Sequence, residues 1–319
     1  MYCFAILRVV SVDRAKSSES LHQCNGIVVL SIGRGSGMSD ASKAMKVDIR
    51  RLKWDFSSDG NRYWFGGSPA LTHLLNVYTL LVPDNEAFYI RTINQYMEAI
   101  DDETLRSQVM HFCRQESLHG VAHRAYWRCL EERGINIARF VNAVNWVLYR
   151  VMEPIEPKGL RLSIVAAIEH VNALLGNIFL KNQLLDSADS ELRRLFVWHF
   201  SEEIEHKAVA HEVLERFHPG YLPRVLGALI AVPMFYFLLF VGTIYLLGQE
   251  RELLKWRNIR DLYWLFVTKG VMRESISHLL RYFRRGFQPW EVDDSNLVVL
   301  PEMLDKIVEV AAVRTGTTG

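Results

Sequence analysis

Two short motifs in the middle of the chain have the residue types and spacing of metal ligands. Glu116 and His119 form a Glu-x-x-His motif, and Glu203 and His206 repeat it. Positions i and i+3 lie on one face of a helix, so the carboxylate and the imidazole of each motif can reach one point in space. The repeated motif therefore indicates two helices that each offer one carboxylate and one imidazole to a metal.

Two further glutamates, each ahead of one motif, complete a ligand set for two metals. Glu86 precedes the first motif and Glu169 precedes the second. One glutamate from each of two helices, with Glu-x-x-His from each of two others, is the ligand set of a carboxylate-bridged dinuclear site. Glu169 lies in the apolar run 164–171, where an unpaired carboxylate would be costly to bury. A single Glu-x-x-His is common on charged helix surfaces, but this order along the chain favours a metal site.

The second motif has additional polar neighbours on the same helix. His199 stands four residues before Glu203, so that His199, Glu203 and His206 form one stripe over two turns. This spacing makes His199 a candidate third imidazole ligand, and a histidine that packs or orients a ligand is the alternative. Glu202 lies four residues before His206 and is an alternative to Glu203. We favour Glu203 because its spacing repeats that of the first motif.

Two more histidines are expected to support the ligands. His123 follows His119 by four residues on the same helix face, where it can orient a ligating side chain. His170 follows Glu169 directly and therefore points about 100° away from it. We expect both histidines to hold a ligand from behind or to pack in the core.

The segments that carry these residues are predicted to be helices. From residue 71 to 217 the sequence is amphipathic and poor in breakers, without the alternation of strands. Pro83 can open or kink the first helix, acidic residues at 101–103 suit the start of the second, and Gly134 suits its end. The pattern then predicts a segment at 137–152, a loop at 153–159, a helix at 160–185 and a last helix from about 187–189 to 217. The fold class is all-α, with a ferritin-like four-helix bundle and additional C-terminal helices, one of them strongly hydrophobic.

Composition limits the classes of function. The chain has 319 residues, half of them hydrophobic, with 37 Lys+Arg against 36 Asp+Glu and a net charge of +1. This balance argues against nucleic-acid binding through a broad basic field. The four cysteines form no CxxC pair, which favours a reducing compartment. We expect a cytoplasmic protein with a small-molecule substrate.

The chain divides into three predicted parts. Residues 1–46 show no sustained period and are predicted to be a poorly ordered extension, of which 1–37 would lie upstream of a start at Met38. Residues 47–220 form the metal-binding bundle. Residues 221–319 form the hydrophobic helix and C-terminal helices packed on that bundle.

The hydrophobic segment 225–248 contains no charged residue and is long enough to cross a bilayer. A single crossing would place the C-terminal helices on the opposite side of the membrane from the bundle. We therefore expect a helix that associates with the inner face of the membrane without spanning it. The alternative is a helix covered by the bundle or by a homodimer interface.

The motifs resemble those of a bacterial family named "predicted metal-dependent hydrolase", which is similar to ferritin-like di-iron proteins. The resemblance covers about 48–300 and rests on Pro83-x-x-Glu86-x-Phe88, Gln115-Glu116-x-x-His119-x-x-x-His123, Glu169-His170, Trp198-His199-x-x-Glu202-Glu203-x-Glu205-His206-Lys207 and the tail 282–290. Asn85 and Gln288 depart from the glycine and histidine that the family tends to have. The resemblance implies a metal-dependent activity, and the family name implies hydrolysis. The stripe of His199, Glu203 and His206 also resembles di-iron N-oxygenases.

A dinuclear site of this kind supports two enzymatic interpretations. Carboxylate-rich ligands with few imidazoles suit iron best, with manganese or zinc as alternatives. From these residues we first expect a di-iron oxidase or oxygenase that uses O2 on a small or lipophilic substrate. A metal-dependent hydrolase is the alternative, because two metals can also activate water. A non-catalytic, membrane-associated metal-binding protein is the third interpretation.

Overall fold

The chain forms two compact units, Met1–Ala41 and Ser42–Gly319. The structure is a computed structural model that describes residues 51–299 and 303–307, together with the backbone of 20–24 and 27–31. In the first unit, β1 (Ser20–Cys24) and β2 (Ile27–Ser31) pair in antiparallel register. The remainder of the predicted extension at 1–46, including the proposed start at Met38, lies outside the described residues.

The second unit is built from helices. They are α1 (Pro69–Asn94), α2 (Glu103–Glu132), α3 (Ala138–Asn145), α4 (Glu153–Ile155), α5 (Lys158–Lys181), α6 (Ser190–His206), α7 (Val209–Phe217), α8 (Tyr221–Gln249), α9 (Trp256–Tyr263) and α10 (Val271–Tyr282). Short π-helical segments follow α3 and α9, at Trp146–Met152 and Trp264–Thr268. The predicted all-α class is confirmed for this unit, and the ferritin-like topology stays a prediction.

Local sequence signals set the ends of α2. The Asp102 carboxylate accepts hydrogen bonds from the backbone N–H groups of Thr104 and Leu105, which otherwise have no partner in the first turn. At the other end, Gly134 adopts a φ of +79°, a conformation that glycine tolerates without strain. Both predicted boundaries are confirmed, and α2 therefore carries its Glu-x-x-His motif in mid-helix.

Helix α1 continues through Pro83, so of the two roles predicted for this proline, opening a helix is wrong and kinking it stays a prediction. Proline has no N–H, which deprives the carbonyl oxygen of Thr79 of its helical donor. The indole Nε1 of Trp127 donates to that oxygen at 3.0 Å and replaces the missing bond. A contact from α2 therefore satisfies the carbonyl oxygen that the proline leaves without a donor, and Glu86 follows within the same helix, about one turn beyond the proline.

The last predicted helix of the bundle is two helices. Helix α6 ends at His206, and α7 begins at Val209. The intervening Lys207 donates through Nζ to the carbonyl oxygen of Val292 at 2.8 Å and also contacts the Asp294 carboxylate. The C-terminal segment thus holds the break directly after the second Glu-x-x-His motif.

The predicted loop at 153–159 is shorter than expected. Glu153–Ile155 forms the single turn α4, and α5 already begins at Lys158. Pro154 and Pro157 lie at the beginnings of these helices, where the missing N–H of proline costs no helical hydrogen bond. The break is confined to Glu156 and Pro157.

Helices α1, α2, α5 and α6 pack around the core, and α8 lies across α5 and α1. The crossings of α8 depend on glycine. A Cβ atom at Gly227 would lie 2.4 Å from the backbone carbonyl of Ser163 in α5, and one at Gly242 would lie 2.5 Å from Val77 in α1. Because the obstacle at Gly227 is backbone, α5 and α8 can approach this closely only without a side chain there.

We predict that Gly227→Ala destabilises the protein although alanine is the better helix former by about 1 kcal/mol. The clash with the Ser163 backbone forces the two helices apart, at a cost of about 1–3 kcal/mol or more. Urea unfolding followed by circular dichroism measures the effect. Gly248→Ala in the same helix is the matched control, since its new methyl group meets only the flexible side chain of Leu253 at 3.3 Å. Equal stability of the two variants would contradict the close packing of α5 and α8.

Candidate metal centre

Four helices bring the predicted ligands to one buried point. The ligand positions are Glu86 on α1, Glu116 and His119 on α2, Glu169 on α5, and His199, Glu203 and His206 on α6. All seven side chains are buried. Residues from distant parts of the sequence therefore converge in the core of the second unit.

The ligand atoms fall into two overlapping groups of four. The first consists of Glu86, His119, His199 and Glu203, and the second of Glu116, His119, Glu203 and His206. Within each group the ligand atoms lie within 4.8 Å of one another, which is close enough to surround one ion. His119 and Glu203 belong to both groups, so the two candidate ion positions share donors.

His119 faces the cluster with one ring nitrogen and an outer carboxylate with the other. Its Nδ1 lies 3.3 Å from Glu86 Oε1 and 3.8 Å from Glu203 Oε1. Its Nε2 lies 3.0 Å from Oε2 of Glu202, whose other oxygen accepts a hydrogen bond from Trp198 Nε1 at 2.7 Å. A carboxylate on the far nitrogen fixes the orientation of a ligating imidazole. Glu202 therefore lies behind a ligand, and Glu203 is the residue that enters both groups.

His206 lies between two carboxylates. Its Nε2 is 3.0 Å from Glu116 Oε1, and its Nδ1 is 3.2 Å from Glu169 Oε2. Glu169 belongs to neither group of four. The sequence pattern had predicted Glu169 and Glu86 as equivalent ligands, one from each of two helices. The structure puts it at the margin of the second group, in contact with His206.

His199 is held by contacts on both ring nitrogens. Its Nε2 lies 3.1 Å from Glu203 Oε1 and 2.9 Å from the hydroxyl of Tyr78. Its Nδ1 lies 3.2 Å from His123 Nε2 and 3.9 Å from Glu86 Oε1. His199 is thus a member of the first group, and His123 contacts the cluster through His199.

Sequence reasoning missed Tyr78. Its hydroxyl contacts His199 and donates to Asn172 Oδ1 at 3.3 Å. Burial and the nearby Glu203 carboxylate raise the pKa of Tyr78 well above its usual value, so the phenol stays protonated. The sequence contains one indication of this role. Tyr78 stands two turns before Glu86 and so lies near the same face of α1, and the hydroxyl of a buried tyrosine needs a polar partner.

His170 lies outside the cluster. Its ring stacks on Tyr282 at a centroid distance of 4.7 Å, and its Nε2 is 3.4 Å from the carbonyl oxygen of His278. Burial lowers the pKa of His170 to about 3, so the imidazole is neutral at physiological pH. Its neighbours are therefore the C-terminal helix α10 and the segment after it.

A small cavity adjoins the cluster on the side of Glu86. It has room for about one water molecule and lies between α1, α5 and α8. Its lining consists of Tyr78, Leu81, Val82, Asn85, Glu86, Tyr89, Asn172 and Phe235. Apolar side chains and two amides thus border one ligand of the first group.

The buried carboxylates require a positive partner. Burial, together with repulsion among the glutamates, raises the pKa of Glu86 and Glu203 well above the usual value. The same causes raise the pKa of Glu116 to about 7. Both carboxylate oxygens of Glu86 and of Glu203 have no hydrogen-bond donor among the described residues. Carboxylate oxygens without a hydrogen-bond partner, together with neighbouring imidazole nitrogens, are suitable ligands for divalent iron, manganese or zinc.

The pKa of His206 is raised, whereas the pKa values of His123 and His199 are lowered. Burial disfavours its charged form, but the neighbouring carboxylates of Glu116, Glu169 and Glu203 prevail and raise its pKa well above the usual value. For His199 and His123, burial and the neighbouring imidazoles lower the pKa well below it. His199 is thus neutral at physiological pH, which a metal-ligating imidazole must be.

We predict that the metal-free protein becomes less stable as the pH rises from about 7 to about 8.5. Above about 6.5 the unfolded chain has charged glutamates and neutral histidines, whereas the folded chain keeps protons on Glu86, Glu203 and His206. The folded state then binds more protons, so the free energy of unfolding falls with pH. A bound cation displaces these protons, so the stabilisation by metal grows over the same range.

Urea unfolding of metal-free and metal-loaded protein at both pH values measures this linkage. Glu203→Gln is the matched variant, because it removes one titrating group from the cluster and should flatten the pH dependence of the metal-free protein. A pH-independent free energy of unfolding without metal would contradict the proton-holding cluster.

Comparison with known proteins agrees with the motifs. The model of the family described as "Predicted metal-dependent hydrolase" matches residues 48–293, which include all of α1–α10 and every residue of the cluster. No curated protein and no solved structure matches the chain. The family description favours the hydrolase alternative over the oxidase expected first from the ligand pattern. The resemblance seen in the sequence is confirmed: the chain belongs to the family of predicted metal-dependent hydrolases.

Proposed function

We propose that this protein is a dinuclear metal-dependent hydrolase. The observation that carries the proposal is the pair of four-donor groups that share His119 and Glu203 in a buried site of a chain from this family. In this proposal the first ion is held by Glu86, His119, His199 and Glu203. The second is held by Glu116, His206 and the shared donors, with Glu169 at its margin.

The protein side chains prepare this site for hydrolysis. Two divalent ions bound here supply electrophilic polarisation of the scissile bond and lower the pKa of an attacking water. Glu202 holds Nε2 of His119, so this imidazole presents its Nδ1 to the site, and Tyr78 and His123 hold the ring of His199 in place. The buried surroundings strengthen every charge interaction in the site.

The wall of the cavity beside Glu86 is mainly apolar. Its apolar lining includes Tyr89 and Phe235, while Asn85 and Asn172 offer amide groups. The cavity has room for about one water molecule, so it shows the character of this wall and not the size of a substrate. The Oδ1 atoms of Asn85 and Asn172 already accept hydrogen bonds from Tyr149 and Tyr78. We propose that the bond to be hydrolysed approaches the ions from this side.

Oxidation by a di-iron centre is the second candidate, and the ligand chemistry favours it. Four of the seven ligand positions are glutamates, and carboxylate-rich sites suit iron. The protonated phenol of Tyr78, 2.9 Å from His199 Nε2, places a redox-capable side chain at the cluster. This candidate requires O2 and an electron donor, and hydrolysis requires neither.

Metal content tests the site itself. We expect elemental analysis to find about two metal ions per chain in the wild type. Glu116→Ala should lose at least one ion, because it removes a donor of the second group. Glu131→Ala, an exposed glutamate on the same helix, is the matched control and should keep both ions. Full metal content in Glu116→Ala would contradict the assignment.

Turnover tests the reaction. We expect the metal-loaded protein to release 4-nitrophenol from aliphatic 4-nitrophenyl esters under argon, and chelation or Glu116→Ala to abolish the release. Substrate-dependent O2 consumption with a reductant, without hydrolysis under argon, would instead support the di-iron oxidase. Stable metal binding with neither activity across ester, phosphoester and oxidation substrates would support a metal-binding role.

A further inference from the structure

Helix α8 presents a continuous apolar stripe to the outside of the second unit. The exposed side chains recur at spacings of three, four and eight residues: Leu222, Leu226, Leu229, Phe237, Phe240 and Ile244, each between 40% and 76% exposed. With Val241 and the exposed Pro233 between them, these side chains span 23 residues, or about 33 Å of helix. The sequence between Arg224 and Glu250 contains no charge. An apolar surface of this length marks a binding surface.

The next helices carry exposed apolar residues of the same kind. They are Trp256, Ile259, Tyr263 and Val267 around α9, and Met272, Ile276 and Leu280 on α10. The end of α10 meets the beginning of α8, where the guanidinium of Arg224 donates to the carbonyl oxygens of Tyr282 and Arg284. We call the exposed apolar side chains of α8, α9 and α10 the apolar face.

The opposite side of α8 is buried against the bundle. Ala228, Phe235 and Leu246 are almost fully inaccessible. Helices α5 and α8 are both long and apolar enough to cross a membrane, but α5 lies inside the core. The chain after α8 returns to the same bundle, where Glu274 pairs with Lys181 of α5. Helix α8 therefore lies along the bundle and exposes one side only.

The charges around the apolar face are mainly positive. Residues 221–290 contain ten arginines and lysines and four acidic residues. The acidic residues are engaged in ion pairs: Glu250 with Arg62, Glu252 with Arg257, Asp261 with Arg260 and Glu274 with Lys181. Arg251, Arg273 and Arg281 are exposed and form no ion pair within the described part of the chain. These three arginines are therefore available to an anionic surface.

We infer that the apolar face docks the protein on an anionic lipid bilayer, with α8 lying in the interface and not spanning it. Apolar side chains with basic neighbours are the composition of helices that bind in the membrane plane. Trp256, Tyr263 and Trp290 are more than half exposed and are residue types enriched at the headgroup level. A symmetric contact with a second copy would instead bring the unpaired arginines of both copies to one interface. This inference does not depend on the reaction at the metal centre.

Vesicle flotation of the full chain tests the docking. We expect binding to phosphatidylcholine vesicles that contain phosphatidylglycerol. Phe237→Glu with Phe240→Glu removes two exposed aromatic side chains, each worth about tenfold in affinity. Met110→Glu with Val121→Glu on α2 is the matched control, because these residues are 59% and 64% exposed outside the apolar face. The control variant should bind as the wild type does.

A second pair of variants tests the charges. Arg273→Glu with Arg281→Glu should remove the preference for anionic over neutral vesicles, and added salt should do the same to the wild type. Arg128→Glu with Arg139→Glu is the matched control, since these arginines are exposed on α2 and α3. Circular dichroism and metal content show that each variant is folded.

Two results would overturn the inference. One is a wild type that binds neither kind of vesicle. The other is a stable dimer in solution that Phe237→Glu with Phe240→Glu converts to a monomer without any vesicle binding, which would assign the apolar face to a second copy.

Discussion

Four glutamates buried at one point are the constraint on which the rest of this structure depends. Burial and mutual repulsion raise the pKa values of Glu86, Glu116 and Glu203, so these three carboxylates do not all ionise without a positive partner. Without metal the cluster must keep protons, which lowers its stability at high pH. In the proposed site, Glu86 of α1, Glu116 of α2 and Glu203 of α6 become ligands, while Glu169 of α5 contacts His206 at the margin. If metal binds as proposed, fold and cofactor are coupled, because the energy of binding is also energy for packing α1, α2 and α6.

The cluster is precise because the atoms behind it are satisfied. Glu202 accepts from Trp198 while it contacts His119, and Tyr78 joins His199 to Asn172. Each of these contacts holds an imidazole in one orientation before any ion arrives. The end of α6 at His206 has a similar role. Lys207, the next residue, donates a hydrogen bond to the carbonyl oxygen of Val292 in the C-terminal segment, which fixes the position of the candidate ligand His206. The orientation of the candidate ligands thus depends on the residues that contact them from outside the cluster.

The ligand positions could be predicted from sequence because Glu-x-x-His spacing is a property of one helix and needs no tertiary information. The ends of α2 were predictable for the same reason, since Asp102 and Gly134 act within one turn. The passage of α1 through Pro83 was not, because it depends on the indole of Trp127 from another helix. The contacts of Tyr78 with His199 and of Glu202 with His119 could not be predicted either, since each joins residues that are distant in sequence. The ferritin-like topology remains a prediction, as does the ligand role of each residue.

The two sides of α8 connect the metal centre with the surface of the protein. Phe235 lines the cavity beside Glu86, and Phe237, two residues further on, is more than half exposed on the apolar face. Only the thickness of one helix, about 10 Å with side chains, therefore separates the cavity from whatever covers that face. If lipid covers it, as inferred above, a substrate that approached from the bilayer would meet α8 before it met the cavity. The hydrophobicity of α8 then serves the site as well as the fold, and the small size of the cavity means that α8 or its neighbours must move for a substrate to enter.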